Sequence, residues 1–160
     1  MSRHNLTEQQ WQLIEPLLPK RKSYMGRPPV DNRKVMNGII YILRTGSAWA
    51  DLPKEYGSPT TCWRRLRDWQ KVGIWERIWR KVLQSLHQKK KINLDCVYLD
   101  GSFVRSVKGG NEIGKTKVGK GSKLMMVADQ SGLPIGLHLS SAQPHEVRLA
   151  KKTLATTYTQ

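Results

Sequence analysis

The hydrophobic pattern of this chain changes period once, at Lys89-Lys90-Lys91, and that change limits what it can fold into. Before the three lysines, apolar residues recur at helical spacing; after them they alternate, as in strands. A chain of 160 residues has room for one ordinary domain or two small ones. The pattern predicts a helical domain with a basic linker over residues 1–91 and a second, strand-containing domain over residues 92–160.

The helical part carries its own punctuation. Thr7 and Gln10 form a capping-box pair, and Trp11, Ile14 and Leu18 share one face of a first helix that Pro16 should bend or end. Asp31 can cap a second helix, with Val35, Ile39, Ile42 and Leu43 as its apolar stripe and Gly46 as its stop. After a turn at Trp49–Pro53, Ser58-Pro59 reads as the start of a third helix to Lys71, with Cys62, Leu66 and Trp69 inward. Arg64, Arg67 and Lys71 then align outward, with Arg65 beside them. Gly73 breaks the chain before a fourth helix striped by Trp75, Ile78, Trp79, Val82 and Leu86. All six tryptophans lie in the first 80 residues and can supply much of a helical core.

After the lysines, a first strand is expected from about Cys96 to Val107, a second over Leu124–Ala128 and a third over Leu133–Ser140. Asp129-Gln130-Ser131-Gly132 is the turn between the last two, and residues 144–157 can be helical. The intervening Lys108–Lys123 stretch is rich in lysine and glycine but lacks the order of a phosphate-binding loop. It reads as a mobile loop whose Lys115, Lys117, Lys120 and Lys123 touch phosphates. In the first strand, Asp100 stands among apolar residues, where a carboxylate is costly to bury unless paired, hydrogen-bonded or bound to a metal.

Charge narrows the partner. The formal net charge is +16, of which residues 1–91 (19 basic, 7 acidic) hold +12 and residues 92–160 (9 basic, 5 acidic) hold +4. Such a balance favours a polyanion, nucleic acid before membrane, and no run of about eighteen apolar residues offers a membrane span. Residues 31–71 have the layout of helix, turn, basic helix, which suits a helix-turn-helix that enters the major groove; the alternative is a helical bundle with a solvated basic face. Arg27, in Gly26-Arg27-Pro28, either reaches into a narrow groove as DNA-binding arms do or sits in a solvated loop. Two lone cysteines, Cys62 and Cys96, and an N-terminus without an apolar signal core suit a reducing cytoplasm.

With these residues placed, the chain resembles bacterial insertion-sequence transposases of the Asp-Asp-Glu type, in the insertion-sequence-five group. The matching phrases include Leu6-Thr7-x-x-Gln10-Trp11, Pro16-Leu17-Leu18-Pro19, Gly26-Arg27-Pro28-Pro29 and Asn37-Gly38-Ile39. They continue with Leu43-Arg44-Thr45-Gly46, Trp49-x-Asp51-Leu52-Pro53, Trp63-x-x-Leu66-x-x-Trp69 and Gly73-x-Trp75-Glu76-x-Ile78. The later part matches more loosely, through Leu99-Asp100-Gly101-Ser102 and Asp129-x-x-Gly132-x-Pro134.

The resemblance implies a helix-turn-helix-like domain that binds the element's terminal inverted repeats as double-stranded DNA. It also implies an incomplete α/β RNase H-like domain of three strands and one helix. Asp100 would be its first catalytic carboxylate and a ligand to Mg²⁺ or Mn²⁺, two ions about 4 Å apart in the complete site. By this reading Asp129 belongs to a turn and Glu146 comes too early, so one of three expected carboxylates is present and metal binding by the chain alone is not expected. The first strand should then be an exposed edge in need of a partner, either the remaining transposase portion or a second copy. Three functions follow from the resemblance: the front portion of a transposase completed by frameshifting or a separate chain, a non-catalytic repressor of transposition, or a decayed fragment.

Overall fold

The computed structural model describes residues 5–19, 30–106, 110, 112–117 and 119–158. Two compact units divide the chain, Met1–Val82 and Leu83–Gln160. Among the described residues no helix is long and apolar enough to cross a membrane.

The first unit is built from helices: α1 (Glu8–Ile14), α2 (Asn32–Thr45), α3 (Pro59–Lys71) and the start of α4 (Ile74–Gln88). Thr7 and Gln10 close the capping box of α1 in both directions. A 3₁₀ turn over Glu15–Leu17, containing Pro16, replaces the α-helix as expected from the missing N–H. Asp31 caps α2 by accepting from the Arg33 N–H at 2.9 Å. Gly46 ends α2 at a left-handed φ of 68°, and its N–H donates to Ile42 O. Trp11, Ile14, Leu18, Val35, Met36, Ile39, Ile42, Cys62, Trp69 and Ile74 join in one buried cluster.

The stripes differ from expectation in three places. Leu43 is exposed on α2 and Met36 is buried instead. On α4 the buried residues are Ile74 and Leu83, whereas Trp75, Ile78, Trp79, Val82 and Leu86 are not fully covered. Of the tryptophans, Trp11 and Trp69 are buried, but Trp63 lies exposed on α3. The expected stripes otherwise hold: Val35, Ile39 and Ile42 on α2 and Cys62 and Trp69 on α3 are buried, and Trp75 and Ile78 on α4 pack against the same core while half-buried. Ser58 occupies the cap position of α3, but its side chain makes no capping hydrogen bond; Pro59 is the first helical residue.

The approach of α2 to α3 is close because α2 carries Gly38 on its inner side. A Cβ there would lie 2.9 Å from Tyr56 Cβ and 3.2 Å from Cys62 Sγ. Both neighbours are buried and cannot move outward. Burial also pushes the Cys62 thiol pKa up, so it behaves as a small apolar group.

The second unit holds a four-stranded antiparallel sheet of β1 (Val97–Arg105), β2 (Gly114–Thr116), β3 (Gly119–Asp129) and β4 (Pro134–Ser141), followed by α5 (Glu146–Leu154). The long strand β3 is the hub: β1 pairs with it from Gly121 to Asp129, and β2 and β4 also pair with it. Among the described residues, four strands therefore stand where three were expected. The described part of the lysine- and glycine-rich segment is a β-hairpin, with Lys115 opposite Lys120, rather than a mobile loop. Alternation places Met125 and Val127 on one face, where they are fully buried, as are Ile135 on β4 and, nearly so, Leu149 on α5.

Asp129 makes the turn into β4, as its position in the sequence predicts. Its carboxylate is fully buried and accepts from the N–H groups of Asn93 (2.9 Å), Ser131 (3.0 Å) and Leu133 (2.7 Å). Burial alone would raise its pKa; the three donors, Asn93 first, outweigh that and hold it below the ordinary carboxylate value.

Two outcomes follow. Gly38→Ala is expected to destabilise the first unit by about 1–2 kcal/mol in a urea melt, because overpacking outweighs alanine's helix preference of about 1 kcal/mol. A carboxylate with a depressed folded-state pKa stabilises above the unfolded-state pKa and loses that contribution as pH falls through the folded value. The second unit should therefore weaken on acidification, and Asp129→Asn should flatten that acid limb in thermal melts. An acid limb identical in the two proteins would contradict the role given to Asp129.

Candidate nucleic-acid interface

A helix can bury one stripe, and on α3 that stripe is Cys62, Arg65, Leu66 and Trp69, spaced i, i+3, i+4 and i+7. Arg65 thus occupies an inward position, not the outward one expected of it. Its Nη1 donates to Asn32 Oδ1 at 3.1 Å, and its guanidinium lies 5.9 Å from the Trp69 ring centroid. With that stripe turned in, Trp63, Arg64, Arg67 and Lys71 are left on the exposed side.

The exposed face has one pre-arranged element. The Arg67 guanidinium stacks on the Trp63 ring, 5.1 Å from its centroid, and also meets Asp68 at 3.3 Å. The ion pair is solvent-exposed and contributes little stability, but the stack holds a flat cation against a flat aromatic at the surface. Composition alone puts Trp63 in the core; the spacing of the inward stripe is the signal that excludes it. α2 and α3 are joined by residues 46–58, which include 3₁₀ turns at Trp49–Asp51 and Lys54–Tyr56. That connection is longer than the roughly 3–4 residues of a helix-turn-helix turn. Arg27 lies outside the described residues.

In the second unit, Lys115, Lys117 and Lys120 lie on the β2–β3 hairpin, all three exposed. Lys115 and Lys120 face each other directly across the strands, an arrangement that costs free energy unless an anion comes between them. Lys123 is used differently. Its Nζ donates to Pro144 O at 2.9 Å and lies 3.7 Å from Glu146 Oε1, so it ties β3 to the start of α5.

Asp100 sits in the middle of β1, opposite Met126, and is exposed. The desolvation cost expected for a carboxylate in an apolar strand therefore does not arise, because among the described residues that face of the sheet is uncovered, with Leu137 and Leu139 of β4 exposed on it as well. One oxygen, Oδ1, accepts from the adjacent Gly101 N–H at 2.8 Å. Glu146 is on the other face of the sheet: a Cβ on Gly101 would meet its Cδ at 3.0 Å and Met125 Sδ at 2.8 Å. Asp129 is committed to its three backbone donors. Among the described residues no three His, Cys, Asp or Glu side chains gather as metal ligands. One carboxylate on one face does not fit a pair of Mg²⁺ or Mn²⁺ ions, which need several oxygen ligands.

Comparison with known proteins places these residues in a family. Residues 6–79 match the family model described as "Putative transposase of IS4/5 family (DUF4096)", a span that contains all of α1, α2 and α3. An insertion element IS402 protein of 16.2 kDa from Burkholderia cepacia is 42% identical over 122 residues, covering 72% of this chain and 83% of that protein. Protein y4sN of Sinorhizobium fredii (strain NBRC 101917 / NGR234) is 25% identical over 101 residues, covering 63% of this chain and 76% of that protein. No solved structure matches the chain. The family model and the IS402 relative together establish that this chain belongs to the IS4/5 transposase family.

Proposed function

We propose that this chain is a DNA-recognising transposase component that binds the terminal inverted repeats of its insertion sequence and does not cut DNA alone. The observation that carries this reading is the outward face of α3. There Trp63, Arg64, Arg67 and Lys71 stand exposed on a helix whose other side is locked into the core. An α-helix fits the major groove, where arginine can pair bidentately with guanine and lysine can neutralise phosphate. The +12 charge of residues 1–91 supplies the sequence-independent attraction. α2 and α3 act here as a helix-turn-helix-like pair with a lengthened connection, and Arg65 supports α3 from within.

The second unit supports a companion role. β1, β3 and β4 in antiparallel order, followed by α5, agree with the front portion of an RNase H-like domain, with Asp100 mid-strand. The opposed Lys115 and Lys120 gain if a phosphate lies between them. Metal-dependent cleavage requires carboxylates beyond Asp100, so the complete reaction belongs to an assembly that supplies them. The isolation of Asp100 on its sheet face equally favours a second reading, occupancy of the repeats without cleavage, which would repress transposition.

Anisotropy titrations against a terminal-repeat duplex test the assignment. Arg64→Ala and Arg67→Ala are each expected to weaken binding and to reduce the salt dependence by about one unit of slope for each phosphate that is no longer neutralised. Arg65→Ala should instead lower the melting temperature of the first unit. Binding unchanged in both Arg64→Ala and Arg67→Ala would contradict the interface. In the same samples with Mg²⁺ or Mn²⁺ the duplex is expected to stay intact; strand cuts abolished by Asp100→Ala would show that the chain assembles a complete site.

A further inference from the structure

The exposed tryptophan of α3 is not explained by the core. Among the described residues three arginines lie over tryptophan rings: Arg33 over Trp11, Arg65 over Trp69 and Arg67 over Trp63. Trp11 and Trp69 are buried and fill the core whatever their arginines do, whereas Trp63 is 47% exposed. An indole left in water forgoes a large apolar gain, and the cation over its face offsets part of that loss.

Of the outward cations of α3, Arg67 is held at its charged end. Its guanidinium lies over the Trp63 indole, 5.1 Å from the ring centroid, and its Nη2 donates to Asp68 Oδ1 at 3.3 Å. The ring restricts the plane of the guanidinium and the carboxylate restricts its rotation within that plane. Trp63 and Arg67 meet because they stand one turn apart, at i and i+4. Arg64 and Lys71 make no side-chain hydrogen bond or ion pair among the described residues. Asp68 takes one of the five guanidinium N–H groups, so a fork of two donors is still free on Arg67.

These two neighbours favour a base edge over a phosphate. The Asp68 carboxylate offsets the charge of Arg67 and repels a phosphate brought to the same guanidinium. A guanine edge is neutral, and its O6 and N7 acceptors in the major groove match a planar fork. A phosphate can be neutralised by a point charge such as that of Lys71 and needs no fixed plane.

We propose that Trp63 is a positioning residue: it holds the Arg67 fork for one guanine of the terminal repeat and so sets sequence discrimination without carrying charge. This rests on α3 reading the major groove. Anisotropy titrations of the full chain against a terminal-repeat duplex and a scrambled duplex of equal length, each over a range of salt, provide the test. Arg67→Lys keeps the charge but lacks the fork, and should lower the preference for the repeat by about tenfold. Trp63→Leu should lower it by about fivefold while the salt slope stays that of the wild type, because no cation is lost. Trp63→Phe keeps an aromatic face and should hold the preference within about twofold of wild type. Trp63→Leu combined with Arg67→Lys should lose no more than Arg67→Lys alone, because the ring acts through the arginine. Thermal melts check that the first unit stays folded in each variant. A wild type that prefers the repeat while Trp63→Leu keeps that preference overturns the proposal and leaves the reading of α3 standing. So does a further loss in the double variant, which makes Trp63 a separate contact, or a loss in Trp63→Phe as large as in Trp63→Leu. A wild type with no preference for the repeat overturns both.

Discussion

One helix period governs the first unit: α3 must turn Cys62, Arg65, Leu66 and Trp69 inward together, and everything presented outward follows from that. Cys62 meets α2 at the gap left by Gly38, and Arg65 reaches Asn32 in the first turn of α2. The Trp69 ring lies beside Arg65 on one side and Trp75 of α4 on another, with ring centroids 5.9 Å apart for the tryptophan pair. These contacts fix the rotation of α3, and rotation decides which cations face solvent.

The second unit follows a different constraint. β3 is paired on both sides, and Asp129 at its end is bonded by three backbone donors that gather the approach to β1 and the turn into β4. β1 gains order from β3 but lies at the border of the sheet, which leaves Asp100 accessible and its neighbours uncovered. Exposure of a carboxylate and exposure of an apolar edge are thus two results of one topology.

Much of this is legible in the sequence. The capping box at Thr7, the cap at Asp31, the stop at Gly46 and the turn at Asp129 each depend on a local backbone requirement that few residues meet. The family resemblance stands on phrases from Leu6 to Ile78, almost the span that the family model matches. Rotation of the stripes is harder. Arg65 reads as outward because it is charged, although its spacing from Cys62 and Trp69 puts it on the buried side; a cation–π contact and an amide partner make that position tolerable. Trp63 reads as core because tryptophan usually is. The hairpin at Gly114–Thr116 is hidden by lysine and glycine, which have poor strand propensity, and pairing with β3 overrides that preference. Lys123 cannot be told from its neighbours, since its partner, Pro144 O, is distant in sequence.

The central claim is that the outward face of α3 reads terminal-repeat DNA from the major groove. Methylation protection of guanine N7 on a terminal-repeat duplex tests it most directly, because N7 lies only in that groove. The account predicts a short cluster of protected guanines in the repeat that loses protection at specific positions in Arg64→Ala or Arg67→Ala and is absent on scrambled DNA. Protection that is absent, uniform along any duplex, or indifferent to both substitutions would contradict it.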